Sequence, residues 1–235
     1  MTKLFLVCGY VASGKTTVSN ALSKSLEVKV IRTDDVRKRL FPKEFDHSSR
    51  DEIESWLEAN EDADLQQVLN PLREAYADLI GKYAPKMKEQ KELVYNQAFV
   101  ELDNLLSIKE DVLFDATFSN VGMRKRAYEL ATKNNIETIY IVQVVCSEEI
   151  VKARLQKRAS GKVKTTSNAK ELDIYRKVKK EFDESQIQND NPEADIVRFL
   201  YNTGTQAISM YGKKDKTTKE ILNVLLSLSK KYGGV

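Results

Sequence analysis

Residues 4–17 read LFLVCGYVASGKTT, and this stretch decides the architecture. Leu4 to Val7 is short and wholly apolar, the pattern of a parallel strand covered on both faces. Gly9 opens a turn that closes at Gly14-Lys15-Thr16, and beyond it Val18, Leu22 and Leu26, with Ala21 beside them, recur at helical spacing to about Glu27. Glycines at Gly9 and Gly14 admit φ values that side chains oppose, so successive backbone N–H groups turn inward at a helix N-terminus and form an anion nest. The string satisfies Gly-x-x-x-x-Gly-Lys-[Ser/Thr] in full, in the strand, turn and helix context that gives the match its meaning. Gly9, Ala12, Ser13, Gly14, Lys15, Thr16 and Thr17 are therefore read as a cradle for the phosphates of ATP. Lys15 supplies a mobile charge between the β- and γ-phosphates, and the Thr16 hydroxyl is a ligand for Mg2+ bridging the same two. Thr17 either adds a phosphate hydrogen bond or only helps to start the helix.

Working outward, Val28 to Ile31 is a second strand, and Thr33 or Asp34 starts a helix that runs to Phe41 and stops at Pro42. Residues 44 to about 108 are helical by pattern, broken at Pro71 and Pro85. Their last helix carries Tyr95, Phe99, Leu102 and Leu106 on one face. Val112 to Phe114 and Ile139 to Val145 are further strands, Ile196 to Tyr201 is a last one, and Ile221, Leu225 and Leu228 mark a closing helix. Helices are expected from about Glu148 and again up to about Glu184, with a polar loop from Ser160 to Ser167 between them. Alternating strands and helices imply an α/β fold with a parallel sheet and right-handed crossovers. The expected organisation is a single domain over 1–235, with a mainly helical insertion at about 44–108 and a lid at about 154–170.

Parallel α/β sheets bind ligands at the carboxyl ends of their strands, which draws attention to the residues placed there. Asp34, just past the second strand, is placed to accept the proton of an attacking hydroxyl, and Arg37, one helical turn on, to hold an acceptor group. Equally, Asp34 is an ordinary helix cap and Arg37 solvated. Asp115 closes the strand Leu113-Phe114 as a carboxylate that orients Mg2+ through water, or else touches the acceptor. Arg154 and Arg158, spaced i, i+4 before the polar loop, are expected to swing together onto the γ-phosphate and stabilise charge in transfer. The plain alternative is a basic surface helix.

The charge is uneven. Residues 44–65 carry nine acidic side chains and Arg50, whereas residues 152–180 carry eleven Lys or Arg against Glu171 and Asp173. The acidic run argues against a long nucleic-acid footprint there, and the basic run argues the other way. Trp56, Tyr95 and Phe99 are candidates to stack a base, with core packing the competing role. A net charge of +3 by itself implies no nucleic acid. No apolar run is long enough to span a membrane, and the short stretch at the N-terminus does not read as a secretory signal, so a cytoplasmic protein is expected. Cys8 and Cys146 end buried runs and read as reduced core thiols.

With these residues assembled, the sequence resembles the P-loop kinases that include polynucleotide kinase, gluconate kinase and the zeta toxins. It looks most similar to the AAA-type ATP-binding domains called AAA_33. The stretches that carry the likeness are VCGYVASGKTT, RTDDVRKRLF, VLFDATFSNVGMRKRAYELA, VVCSEEIVKARLQKRAS and TTSNAKELDIYRKVKKEF. The resemblance implies a P-loop NTPase fold with a five-stranded parallel sheet in the order 2-3-1-4-5 and a helical lid. It implies Asp34 rather than Asp35 as general base, Asp35 beside it on the acceptor side, and Arg37 three residues after the base. It also implies Arg158 as the lid arginine with Arg154 as helper, Arg124 and Arg126 near the acceptor, and Asn202 to Thr205 around the adenine. The activity implied is transfer of the γ-phosphoryl group of ATP to a hydroxyl of a small molecule or a nucleic-acid end, most specifically as in a polynucleotide 5′-hydroxyl kinase. A sugar, sugar-acid or antibiotic kinase is the alternative acceptor class. An ATP-ordered switch with a protein partner is the alternative of another kind, although no partner protein is evident from the sequence.

Overall fold

The structure is a computed structural model that describes residues 2–41, 89–159, 172–184, 187, 190 and 192–232. The acidic run, Trp56, Pro71 and Pro85 of the expected insertion lie outside the described residues, as do 160–170 of the expected lid. The chain divides into two compact units, one formed by Met1–Asp34 with Phe99–Val235 and the other by Asp35–Ala98.

In chain order the described elements are β1 (Leu4–Gly9), α1 (Lys15–Leu26), β2 (Lys29–Arg32), α2 (Thr33–Leu40), a helix α3 over 89–107, β3 (Val112–Asp115), α4 (Val121–Lys133), β4 (Thr138–Val145), α5 (Glu148–Ala159), α6 (Leu172–Glu184), β5 (Asp195–Asn202), β6 (Ile208–Tyr211) and α7 (Lys216–Tyr232). The sheet runs β2-β3-β1-β4-β5-β6. Its first five strands are parallel and stand in the expected order, but a sixth strand, β6, pairs antiparallel with β5. The five-stranded expectation is corrected on this point. β6 escapes notice in the sequence because it is four residues long and half exposed. Its period-2 signal is nonetheless present, since Ile208 and Met210 pack on the core while Ser209 and Tyr211 face outward.

All six residues of β1 are buried, which explains its unbroken apolar sequence: Phe5 and Val7 face one layer and Leu4 and Leu6 the other. The first layer packs Val18 and Leu22 of α1, and Ile221, Leu225 and Leu228 of α7, against Tyr140, Val142, Val197 and Phe199 of the sheet. On the opposite side Phe114 meets Phe99 of α3 and Phe118 edge-on, at ring separations of 5.4 and 5.0 Å. Phe99 is thus a core residue, 1% exposed, and not a platform for a base. Among the described residues no helix is long and apolar enough to cross a membrane.

Candidate active site

The turn after β1 is built by its glycines. Gly9 has φ 143°, and a Cβ there would lie 2.1 Å from the Val144 carbonyl oxygen on β4, so only glycine lets the chain leave between these two strands. Gly14, at φ 104°, is the left-handed N-cap of α1. Between them Ala12 also sits at positive φ, 58°. Lys15 Nζ folds back to donate to the carbonyls of Gly9 (3.0 Å) and Tyr10 (2.7 Å). The outer side of the turn is packed by α5 and α6: Val11 and Ala12 join Cys146, Val151, Leu155 and Tyr175 in a small apolar cluster. The Tyr10 ring stands edge-on to Tyr175 and Phe182.

Parallel register then gathers residues far apart in sequence. Asp115 pairs with Val7 on one side and Arg32 on the other, so the carboxyl ends of β1, β3 and β2 open into one cleft. Its lining comprises the turn from Val11 to Thr17, Arg32, Thr33 and Asp34, Asp115 to Thr117, and Arg158. Asp115 is buried and accepts a hydrogen bond from Ser19 Oγ at 2.6 Å, with Arg32 Nε 3.5 Å away. Burial pushes the Asp115 carboxyl above its ordinary range, against the pull of Lys15, Ser19 and Arg32. Burial likewise pushes the Lys15 ammonium below its ordinary value, opposed chiefly by Asp115 and Asp34. The Arg158 guanidinium is lowered by burial, with Asp34 opposing.

The cleft therefore brings together the turn, Lys15, Thr16, Thr17, Asp34, Asp115 and Arg158. Arg154 is not in that lining, although it and Arg158 both line a neighbouring pocket. Its Nη1 donates to the Ala12 carbonyl at 2.9 Å and to Thr203 Oγ1 at 3.0 Å, on the outer side of the turn. Asp35 and Arg37 continue α2 and belong to the second unit. Arg124, expected near the acceptor, is 1% exposed and committed to Asp190 and to the Phe118 carbonyl. The structure gives Arg124 a core role instead, with Nε and Nη2 on Asp190 and Nη1 on the Phe118 and Ser119 carbonyls. Arg126 lies over the Phe99 ring, 4.5 Å from its centroid, and is not part of the cleft lining either.

Ser19 and Arg32 were not among the sequence candidates, and both touch Asp115. Ser19 was within reach of sequence reasoning, lying one helical turn after Lys15 on the same helix. A second pocket adjoins the cleft, lined by Ala12, Gly14, Arg154, Tyr201, Thr203 and Gln206 among others.

Ser13 Oγ and Arg158 Nη1 are buried in the lining of the cleft with no hydrogen-bond partner among the described residues. Both can donate, and with Lys15 they match the oxygens of a polyphosphate. Thr16 and Asp115 bring to the same cleft oxygen atoms of the kind that a hard divalent cation takes.

The family model described as AAA_33, AAA domain, matches residues 4–181. The chain belongs to the AAA_33 family. This AAA_33 chain matches none of the curated proteins significantly. Among solved structures its fold is similar to Kti12 from Chaetomium thermophilum in complex with ADP-AlF3, at 14% identity and a TM-score of 0.52, covering 99% of this chain and 100% of that one. It is also similar to a sugar kinase from Janibacter sp. HTCC2649, at 12% identity and 0.51, covering 99% and 98%. A third similar structure comes from the PezAT toxin-antitoxin system of Streptococcus pneumoniae, at 12% identity and 0.50, covering 100% and 88%. At these identities the likeness is one of fold.

Proposed function

We propose that this AAA_33 protein is an ATP-dependent kinase that transfers the γ-phosphoryl group to an alcohol of a small molecule or a nucleic-acid end. The observation that carries the reading is the shared cleft: a phosphate turn with Lys15, a carboxylate at Asp34 and a buried Arg158 Nη1 that has no partner among the described residues line one space. Phosphoryl transfer asks little covalent chemistry of a protein, and positioning with charge neutralisation is what this set supplies. The fold likeness to a sugar kinase and to a protein solved with ADP-AlF3 agrees with it.

In this reading the turn's amides and Ser13 grip the phosphates, and Lys15 exchanges the Gly9 and Tyr10 carbonyls for phosphate oxygens. Asp34 takes the proton of the acceptor hydroxyl as its oxygen bonds to the γ-phosphorus and the bond to the β–γ bridging oxygen breaks, releasing ADP. Arg158 neutralises the charge that spreads over the transferring group. Thr16 and Asp115 would hold Mg2+, which would supply charge neutralisation for the polyphosphate. A polynucleotide 5′-hydroxyl kinase is the sharpest form of the proposal, and a sugar, sugar-acid or antibiotic kinase is the other acceptor class.

The test is ATP consumption with Mg2+ against a panel of 5′-hydroxyl RNA and DNA, nucleosides, sugar acids and aminoglycosides. Stimulation by one class, abolished in Asp34→Asn, is expected and names the acceptor. Slow hydrolysis indifferent to every acceptor would reject the kinase and favour a nucleotide-ordered switch.

A further inference from the structure

The i, i+4 spacing of Arg154 and Arg158 predicts two arginines acting on one phosphate, yet the structure gives them different work. Arg154 Nη1 donates to the Ala12 carbonyl at 2.9 Å and to Thr203 Oγ1 at 3.0 Å, and Thr203 Oγ1 donates onward to the Ser13 carbonyl at 2.7 Å. Two consecutive carbonyls of the phosphate turn are thus held from outside by one connected pair of side chains. They belong to the part of the turn with unusual backbone, where Ala12 stands at φ 58° and Gly14 at φ 104°. A non-glycine residue in that region is disfavoured by about 1–2 kcal/mol, so the conformation needs support from its surroundings. Because the carbonyl and N–H of a trans peptide point opposite ways, anchoring the Ser13 carbonyl on Thr203 turns the Gly14 N–H away from Thr203.

The outer end of this brace is itself fixed. Thr203 N donates to the Val145 carbonyl at the end of β4, at 2.9 Å. Asn202 Oδ1 accepts from the N–H groups of Gly204 (2.9 Å) and Thr205 (3.1 Å), closing a tight turn. Gln206 ties the same turn down from both ends of its amide, accepting from Tyr201 Oη at 2.6 Å and donating to the Thr203 carbonyl at 2.8 Å. Arg154, Thr203 and Gln206 also line the second pocket, together with Ile150, Tyr201 and Leu228.

We propose that Arg154 and Thr203 are positioning residues, which brace the phosphate turn against the turn after β5 and hold its amides in the phosphate-binding conformation. The proposal rests on the nucleotide reading above. The brace acts on the polyphosphate through the backbone, so its loss weakens binding even of a ligand with no base to enter the second pocket.

Inorganic tripolyphosphate with Mg2+ is that ligand, and adenosine is its counterpart for the second pocket. Calorimetric affinities for ATP, tripolyphosphate and adenosine are compared in the wild type and in Thr203→Val, Thr203→Ser and Arg154→Lys, with thermal melting of each as the control for folding. Thr203→Val loses both the hydrogen bond to the Ser13 carbonyl and the one accepted from Arg154, and should weaken tripolyphosphate at least roughly five- to tenfold. Thr203→Ser, which keeps the hydroxyl, should restore it. Arg154→Lys should weaken tripolyphosphate too, and the double variant should lose less than the product of the single effects because the two side chains are hydrogen-bonded to each other and act as one brace. Unchanged tripolyphosphate affinity in Thr203→Val and Arg154→Lys overturns the proposal, as does a loss confined to adenosine or to melting temperature. A wild-type protein that binds neither ATP nor tripolyphosphate with Mg2+ overturns the nucleotide reading itself, a result separable from failure of the brace alone.

Discussion

Arg124 and Asp190 meet as a two-point ion pair, Nε to Oδ2 at 2.6 Å and Nη2 to Oδ1 at 2.9 Å, with side chains 1% and 4% exposed. Tyr128 Oη donates to the same carboxylate at 2.7 Å, and Arg124 Nη1 ties in the Phe118 carbonyl at 2.9 Å. The pair joins α4 to the segment leading into β5 and to the stretch that follows Asp115. Arg124→Met leaves a buried carboxylate unpaired and should cost about 3–5 kcal/mol in urea denaturation. Adding Asp190→Leu should recover part of that loss. A single-variant cost under about 1 kcal/mol would show that the pair is not sealed from water.

Asp34→Asn should retain ATP binding and lose about two to four decades of transfer to the acceptor found in the panel, because the amide cannot take the hydroxyl proton. Transfer at the normal rate would remove Asp34 from the base role. Lys15→Ala should weaken both binding and transfer, which separates phosphate gripping from proton removal.

Asp215 caps α7, accepting from the Thr218 N–H at 2.7 Å and from Tyr140 Oη at 2.6 Å. Burial works against its charged form, but the hydrogen bonds from Tyr140 and Thr218 outweigh it, and the carboxyl is held below its ordinary value. A carboxyl that binds its proton more weakly in the folded state stabilises the fold above its unfolded value, about pH 4, and that contribution is lost as pH falls through the folded value. Asp215→Ala should cost about 1 kcal/mol at neutral pH. Asp215→Asn, which can still cap but does not titrate, should lose less stability than the wild type between neutral pH and about pH 3. Equal acid sensitivity would mean that the carboxylate is not what titrates.

Both cysteines are buried, and burial pushes the Cys8 thiol up to about 12 and raises Cys146 as well. Thiolate is the reactive form, so a disulfide reagent at neutral pH should label neither in the native protein and both after denaturation. Rapid native labelling would mean that the core around β1 or the start of α5 opens readily.

The elements with strong local signals were legible in the residues. β1 and the phosphate turn read directly, because a wholly apolar run and a glycine that no Cβ could replace leave few alternatives. α1 ends at Leu26 with Glu27 in the left-handed cap, close to the expected end. β6 was missed because a four-residue edge strand gains its hydrogen bonds from β5 and carries little pattern of its own. Among the site candidates, Lys15, Asp34, Asp115 and Arg158 meet in one cleft, whereas Arg124 matched a motif and turned out to serve the core.

The order of residues sets the chemistry available: a phosphate turn with its lysine and hydroxyls, carboxylates at strand ends, and a basic helix before a polar loop. Spacing of this kind is local, and the strand and helix periods convert it into structure with little help from the rest of the chain. Only the tertiary structure decided what each charged side chain does. Arg154 and Arg158 share one helix and one spacing, yet one supports the turn from outside while the other lines the cleft. The difference lies in the packing of α5 against the turn, which brings the Ala12 carbonyl to 2.9 Å from Arg154 Nη1 and leaves Arg158 Nη1 with no hydrogen-bond partner among the described residues, and no one-dimensional pattern carries that distance.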